Sequence, residues 1–275
     1  MVPDYTNHLF VPPTQTVYPP TPTVKEQGTD AEKLARASTY ARRQAAAVRD
    51  LPDTVPPSRL GGVLGGISPE TVPALGALAP VNGALGTALG LVGNVKAYLR
   101  NSDVRRAVMH EVLSKLGAQT DIIIIGHSLG SVVGIDLLEY LPEPVRVRRF
   151  ITIGSPAGLS GMWKSRADKR LDFSYAQVEG WVNLLGVGDL VPRGQGIAPT
   201  FPQAADVSID IGVAHSAATY LAHPTVGRVI ADAMAPPRGG VVSDTSAIEV
   251  AASEAEEQAI DAVRFGYMVA QLAKN

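Results

Sequence analysis

Residues 126–130 read Gly126-His127-Ser128-Leu129-Gly130, a G-x-S-x-G run in which a serine hydroxyl can serve as nucleophile. The apolar run Asp121-Ile-Ile-Ile-Ile125 precedes it and a helical pattern follows from Leu129 to about Leu141, the strand-turn-helix context that the motif requires. Such a sharp turn strains the serine backbone and aims its hydroxyl outward, and Gly126 and Gly130 keep the flanking positions free of Cβ atoms. The same turn points the Leu129 amide and the start of the helix toward the place where an oxyanion would develop.

A serine hydroxyl is a weak nucleophile at neutral pH until a base takes its proton, and that base must be held by a third group. In this topology the partners follow in the order acid, then histidine, each at the end of a later strand. Asp189 stands just past the strand-like run Trp181-Val-Asn-Leu-Leu185, in the Gly-flanked turn Gly186-Val-Gly188, with turn capping as its plainer role. Asp210, inside an alternating strand, and Asp136, on the helix after the turn and facing away from its top, are weaker candidates. His215 follows the run Val207-Ser-Ile-Asp-Ile211 through a short loop and is the expected base. His223, directly before Pro224, is the alternative and also reads as the first residue of a helix. His127 should point away from Ser128 and line or pack the pocket, while His8 and His110 read as structural.

Composition removes other chemistries. The chain of 275 residues has no cysteine, hence no disulfide, thiolate nucleophile or sulfur-based zinc site. Its five histidines never take H-x-x-x-H or H-E-x-x-H spacing, so metal chemistry is not expected. With 24 Lys+Arg against 26 Asp+Glu there is no basic excess for a nucleic-acid surface. Met1-Val-Pro-Asp-Tyr5 lacks a basic stretch leading into an apolar one, which makes a cytoplasmic location the expectation. Ala74–Val95 carries no charge and holds Gly86 and Gly90 in G-x-x-x-G spacing, yet Pro80, Asn82 and Asn94, with Gly83, Gly86, Gly90 and Gly93, leave mainly Ala and Leu. Buried or lid helices are expected there rather than a membrane span.

The elements that must position these residues can be read along the chain. The proline-rich residues 1–29 allow one short strand near Asp4–Val11, and Asp30 is the expected cap of a helix running to about Asp50. Gly/Ala/Leu-rich helices, a candidate lid, follow to about Val95. Ser102 is the expected cap of a helix with a Val104, Val108, Val112, Leu116 stripe that stops at Gly117. The strand-like runs at 121–125, 150–153, 181–185 and 207–211, separated by helices or long crossovers, predict a doubly wound, mostly parallel α/β sheet with chemistry at the carboxyl ends of its strands. A helix is expected at Pro224–Met234, then a linker over 236–245 and a terminal helix over 246–275 that docks on the domain or on a second copy of the chain.

Taken together, Gly126-His-Ser-Leu-Gly-Ser-Val-Val133, Ile151-Thr-Ile-Gly-Ser-Pro156, the Trp181-to-Asp189 turn and His215-Ser-Ala-Ala-Thr-Tyr-Leu221 resemble the α/β-hydrolase fold, in particular its bacterial lipase- and esterase-like members, over about residues 100–234. The resemblance implies Ser128 as nucleophile, Asp189 as acid, His215 as base and cofactor-free acyl hydrolysis. It implies one domain over 1–235, with about 30–100 as helical insertion or lid. In one respect the chain departs from that family: no apolar strand followed by His-Gly, the usual source of the second oxyanion donor, occurs before residue 121. The pairs Gly61-Gly62 and Gly65-Gly66 follow no strand, so the N-terminal strands are expected to be reduced or missing, with Tyr5–Val11 as a strand after the absent loop.

The expected function is a serine esterase or lipase-like hydrolase acting on an uncharged or lipophilic ester through an acyl-enzyme. Acyl transfer or cyclisation by the same residues, a non-catalytic binding protein of the same fold, and a membrane-associated lipase using residues 74–95 at an interface stay open as alternatives.

Overall fold

The computed structural model describes residues 28–49, 51, 94–159, 161–165, 173–212 and 214–235. The expected strand near Asp4–Val11, the Gly/Ala/Leu helices over 60–93, the linker and the terminal helix lie outside these residues, as do His8 and the glycine pairs at 61–66.

Helix α1 (Asp30–Val48) is capped by Thr29 rather than by the expected Asp30. The Thr29 hydroxyl accepts the Glu32 N–H at 3.3 Å and the Glu32 carboxylate accepts the Thr29 N–H at 2.7 Å, a reciprocal box that Asp30, already helical, cannot form. By the same logic α2 (Ser102–Leu116) is capped by Asn101, not Ser102, since Asn101 Oδ1 accepts the N–H groups of Asp103 and Val104 at 3.0 and 3.2 Å. Val104, Val108 and Val112 bury the expected stripe, and Gly117 ends the helix at φ 60°.

Four strands, β1 (Asp121–His127), β2 (Arg146–Ile153), β3 (Trp181–Gly186) and β4 (Ala204–Ile209), pair in chain order and all in parallel. Between them, α3 (Leu129–Leu137) is four residues shorter than its pattern suggested, because residues 138–140 form turns, with Glu139 N–H on Asp136 O and Tyr140 N–H on Leu137 O. The fourth strand is displaced toward the N-terminus of the expected 207–211: Ala204 pairs with Trp181, and Ile211 leaves the ladder while still packing on the apolar face.

Period-two alternation sorts the side chains onto two faces. Ile151, Ile153, Val182, Leu184, Val207 and Ile209 pack with Tyr220 of α4 (Ala217–Leu221) and with Val226 and Val229 of α5 (Pro224–Met234). Phe150 and Trp181 face the other way, into a core shared with α2, α3 and Tyr40 of α1. Helices therefore cover both faces of a parallel sheet, an α/β architecture. β3 is buried along its whole length, as its apolar composition requires. β1 is less buried than its run of four isoleucines, the pattern of a strand buried on both faces, suggests: at one end of the four-strand order, its isoleucines are mostly half-buried and Ile125 is 43% exposed, since among the described residues only β2 flanks it.

A polar row crosses the second face and ties the loop after β3 to the sheet. Thr152 donates to Asn183 Oδ1 at 2.8 Å and Asn183 donates to Asp206 Oδ1 at 2.8 Å. Asp206 also accepts the N–H groups of Ile197 and Ala198. Thr152 and Asn183 are buried while Asp206 is exposed, and each member has a partner, so the row fixes the loop without leaving a desolvated group. Among the described residues no helix is long and apolar enough to cross a membrane.

Candidate active site

The carboxyl ends of the strands bring the expected residues toward one place. Ser128 joins β1 to α3 with φ 53° and ψ −124°, in a region that L-residues rarely occupy. Several bonds hold it there. Its N–H donates to Ile153 O at 3.2 Å, and its carbonyl accepts the Ser131 N–H at 3.0 Å and the Ser131 hydroxyl at 2.5 Å. Ser155 Oγ, 2.6 Å from Ser131 Oγ, accepts the Ala157 N–H and so links the turn to the end of β2. Gly126 is required by contact: a Cβ there would lie 2.7 Å from Ser131 Cα and 2.8 Å from Gly130 O, both backbone. Ser128 is 5% exposed, its Oγ has no hydrogen-bond partner among the described residues, and it does not cap α3. The first amides of α3, beginning with Leu129, therefore have no side-chain cap.

Asp189 follows β3 in a turn closed by its N–H to Gly186 O at 3.1 Å. Its Oδ1 accepts the Val191 N–H at 2.9 Å and its Oδ2 lies 2.7 Å from His215 Nδ1. His215 Nε2 is buried and has no hydrogen-bond partner among the described residues, so the structure brings acid and imidazole into contact without closing a bond from Nε2 to Ser128 Oγ.

The ring of His127 packs on His215 at 4.6 Å between centroids, tilted by 33°. Burial, and then the neighbouring His215, push its pKa down to about 4, leaving it neutral near neutral pH. The competing residues are engaged elsewhere. Asp136 is fully buried against Tyr98 and Arg105, with Tyr98 Oη and Arg105 Nε 2.9 and 3.2 Å from its Oδ2. Asp210 lies just past β4 instead of inside it and accepts the Gly212 N–H in a local turn. His223 caps α5, its Nδ1 accepting the Thr225 N–H at 3.2 Å. His110 sits exposed on α2.

Two participants escaped the sequence. Tyr220, fully buried, donates to Asp189 Oδ2 at 2.7 Å and accepts the Gly186 N–H at 3.0 Å. Burial, together with the charge of Asp189, holds its phenol proton well above the ordinary tyrosine range. In the sequence it is one aromatic residue in a short helical stretch, with no pattern to separate it from core. Gly154, at φ 56°, is the other: a Cβ there would sit 3.0 Å from Asp189 Oδ2 and 3.1 Å from both His215 Cε1 and Tyr220 Cε2. The Gly-Ser-Pro stop after β2 was the signal that could have pointed to it.

Among the described residues no group of three or more His, Asp or Glu side chains could hold a metal ion. Comparison with protein-family models, with curated proteins and with solved structures finds no match to this chain. The geometry offers a strained serine hydroxyl without a partner among the described residues, an imidazole in contact through Nδ1 with a carboxylate, and a helix start beside the serine that the serine side chain does not cap.

Proposed function

We propose that this chain is a serine hydrolase of the α/β-hydrolase type that cleaves a carboxylic ester through an acyl-enzyme on Ser128. The observation that carries the reading is the 2.7 Å contact between His215 Nδ1 and Asp189 Oδ2. A proton held on Nδ1 by the carboxylate leaves Nε2 with a free lone pair, the form a general base needs.

In this mechanism His215 Nε2 takes the Ser128 hydroxyl proton as Oγ bonds to the ester carbonyl carbon. The carbonyl electron pair moves onto oxygen, and the oxyanion is held by the Leu129 N–H at the start of α3. Collapse breaks the bond to the alkoxy oxygen, which leaves as an alcohol with the proton from His215. Water then attacks the acyl carbon while His215 takes one of its protons. The acid departs and the proton returns to Ser128 Oγ. Asp189 remains an anion throughout and orients His215. A single oxyanion donor in place of two lowers the rate by about 10²–10³, so the reading implies slow turnover unless a second amide contributes. The substrate is an uncharged or lipophilic ester. Acyl transfer or cyclisation follows by the same steps when another hydroxyl or amine replaces water.

One observation favours a second reading, a non-catalytic binding protein of the same type: Ser128 Oγ and His215 Nε2 are not bonded to each other. Hydrolysis of p-nitrophenyl butyrate and octanoate separates the two. Release of p-nitrophenol that Ser128→Ala abolishes supports the hydrolase. A folded wild-type protein with no turnover and no acyl adduct by intact mass supports the binding protein.

A further inference from the structure

We propose that Tyr220 is a positioning residue of this site, one whose hydroxyl fixes the Asp189 carboxylate on the imidazole carried by its own segment of chain. The inference rests on the reading of Ser128, Asp189 and His215 as one working set. His215 and Tyr220 flank the start of α4, five residues apart, and both reach the same oxygen, Asp189 Oδ2, at 2.7 Å.

The direction of the Tyr220 bond is fixed by its neighbour. A phenol has one proton to give, and the Tyr220 oxygen already accepts the Gly186 N–H at the end of β3, so its proton goes to the carboxylate. Backbone amide, phenol and carboxylate thus form a chain with a single orientation. With the Val191 N–H on Oδ1, the Asp189 anion receives three hydrogen bonds from three directions and cannot rotate without breaking one. Both lone pairs of Oδ2 are committed, one to His215 and one to Tyr220, so the two donors share the electron density of one oxygen. Gly154 supplies the room: Asp189, His215 and Tyr220 all come within 3.0–3.1 Å of where its Cβ would be. A tyrosine buried only for packing would be replaceable by phenylalanine without consequence for the imidazole; here the hydroxyl is one of the three donors that hold Asp189.

The test is Tyr220→Phe in the full chain, read by the low-field proton resonance of His215 Nδ1, by the rate of inactivation by a fluorophosphonate, and by Tm. Without the phenol, Oδ2 belongs to His215 alone, and the resonance is expected to move downfield. The inactivation rate constant is expected to fall on the order of tenfold, the scale for loss of an outer-shell partner. A lower Tm with resonance and rate both unchanged assigns Tyr220 to packing and overturns the proposal, while Ser128→Ala continues to report on the hydrolase reading separately. Because the resonance needs no turnover, a wild-type protein that resists labelling still decides the matter: movement supports the proposal and no movement overturns it. A wild-type protein without any such resonance overturns both readings. Should the phenylalanine variant not fold, 3-fluorotyrosine incorporation acidifies the hydroxyl, strengthens its donation to Oδ2 and is expected to move the resonance upfield; no movement overturns the proposal.

Discussion

The rings of His127 and His215 pack together at 4.6 Å between centroids, tilted by 33°, so the residue before the serine lies against the imidazole that the serine would use. His127 Nε2 is buried there without a hydrogen-bond partner among the described residues, which favours its neutral form.

That arrangement fixes a pH dependence of stability. The folded His127 pKa of about 4 lies below the ordinary 6.5, so between these values the unfolded chain binds a proton that the folded chain does not. The contribution of this residue is fully present above pH 6.5 and is lost as the pH falls toward 4. His127→Phe, which keeps a ring against His215, is expected to show a smaller drop in Tm over that window than wild type. Parallel Tm curves for the two proteins would contradict the assignment.

Ser128 adds a second expectation, because function and stability should oppose each other there. A positive φ of 53° in a non-glycine residue stores strain, and a buried hydroxyl without a partner among the described residues adds a desolvation cost. Ser128→Gly relieves both and is expected to gain on the order of 1 kcal/mol in denaturant unfolding while losing all reactivity. A destabilised glycine variant would show that the turn is not strained.

Gly154→Ala should act in the opposite sense. Its Cβ would press on Asp189, His215 and Tyr220 at once, at a φ of 56° that disfavours alanine. Loss of fluorophosphonate labelling together with a lower Tm is expected, and unimpaired labelling would mean that the three side chains are not held as closely as described.

His223 and His215 are separable by a pair of variants. His223 caps α5 through Nδ1, so His223→Ala should cost about 1 kcal/mol, as loss of an N-cap does, and His223→Asn should restore much of it. Both should keep labelling, whereas His215→Ala should lose it. Equal loss in His215→Ala and His223→Ala would remove His215 as the base.

How much of this was legible in the sequence follows from the range of the interactions. The β-branched run before Gly126, the helix stripe on Val104, Val108 and Val112, and the Pro224 start of α5 are set by local periodicity and stereochemistry, and they appear where expected. The pairing of Asp189 with His215 was also legible, because strand ends in a parallel sheet bring successive loops together. Caps shifted by one residue, since Thr29 against Asp30 and Asn101 against Ser102 differ only in which backbone is already helical. Tyr220 and the His127 stack were not legible: each depends on where a side chain lands across the sheet, and no spacing in the chain encodes it.

The central claim, that Ser128 is activated by His215 held on Asp189, is tested most directly by intact-mass labelling with a fluorophosphonate. Wild type, Ser128→Ala and His215→Ala are compared at equal concentration and confirmed fold. A single adduct on wild type, absent from Ser128→Ala and nearly absent from His215→Ala, is the expected result. No adduct on folded wild-type protein, or an adduct that survives Ser128→Ala, would contradict the account.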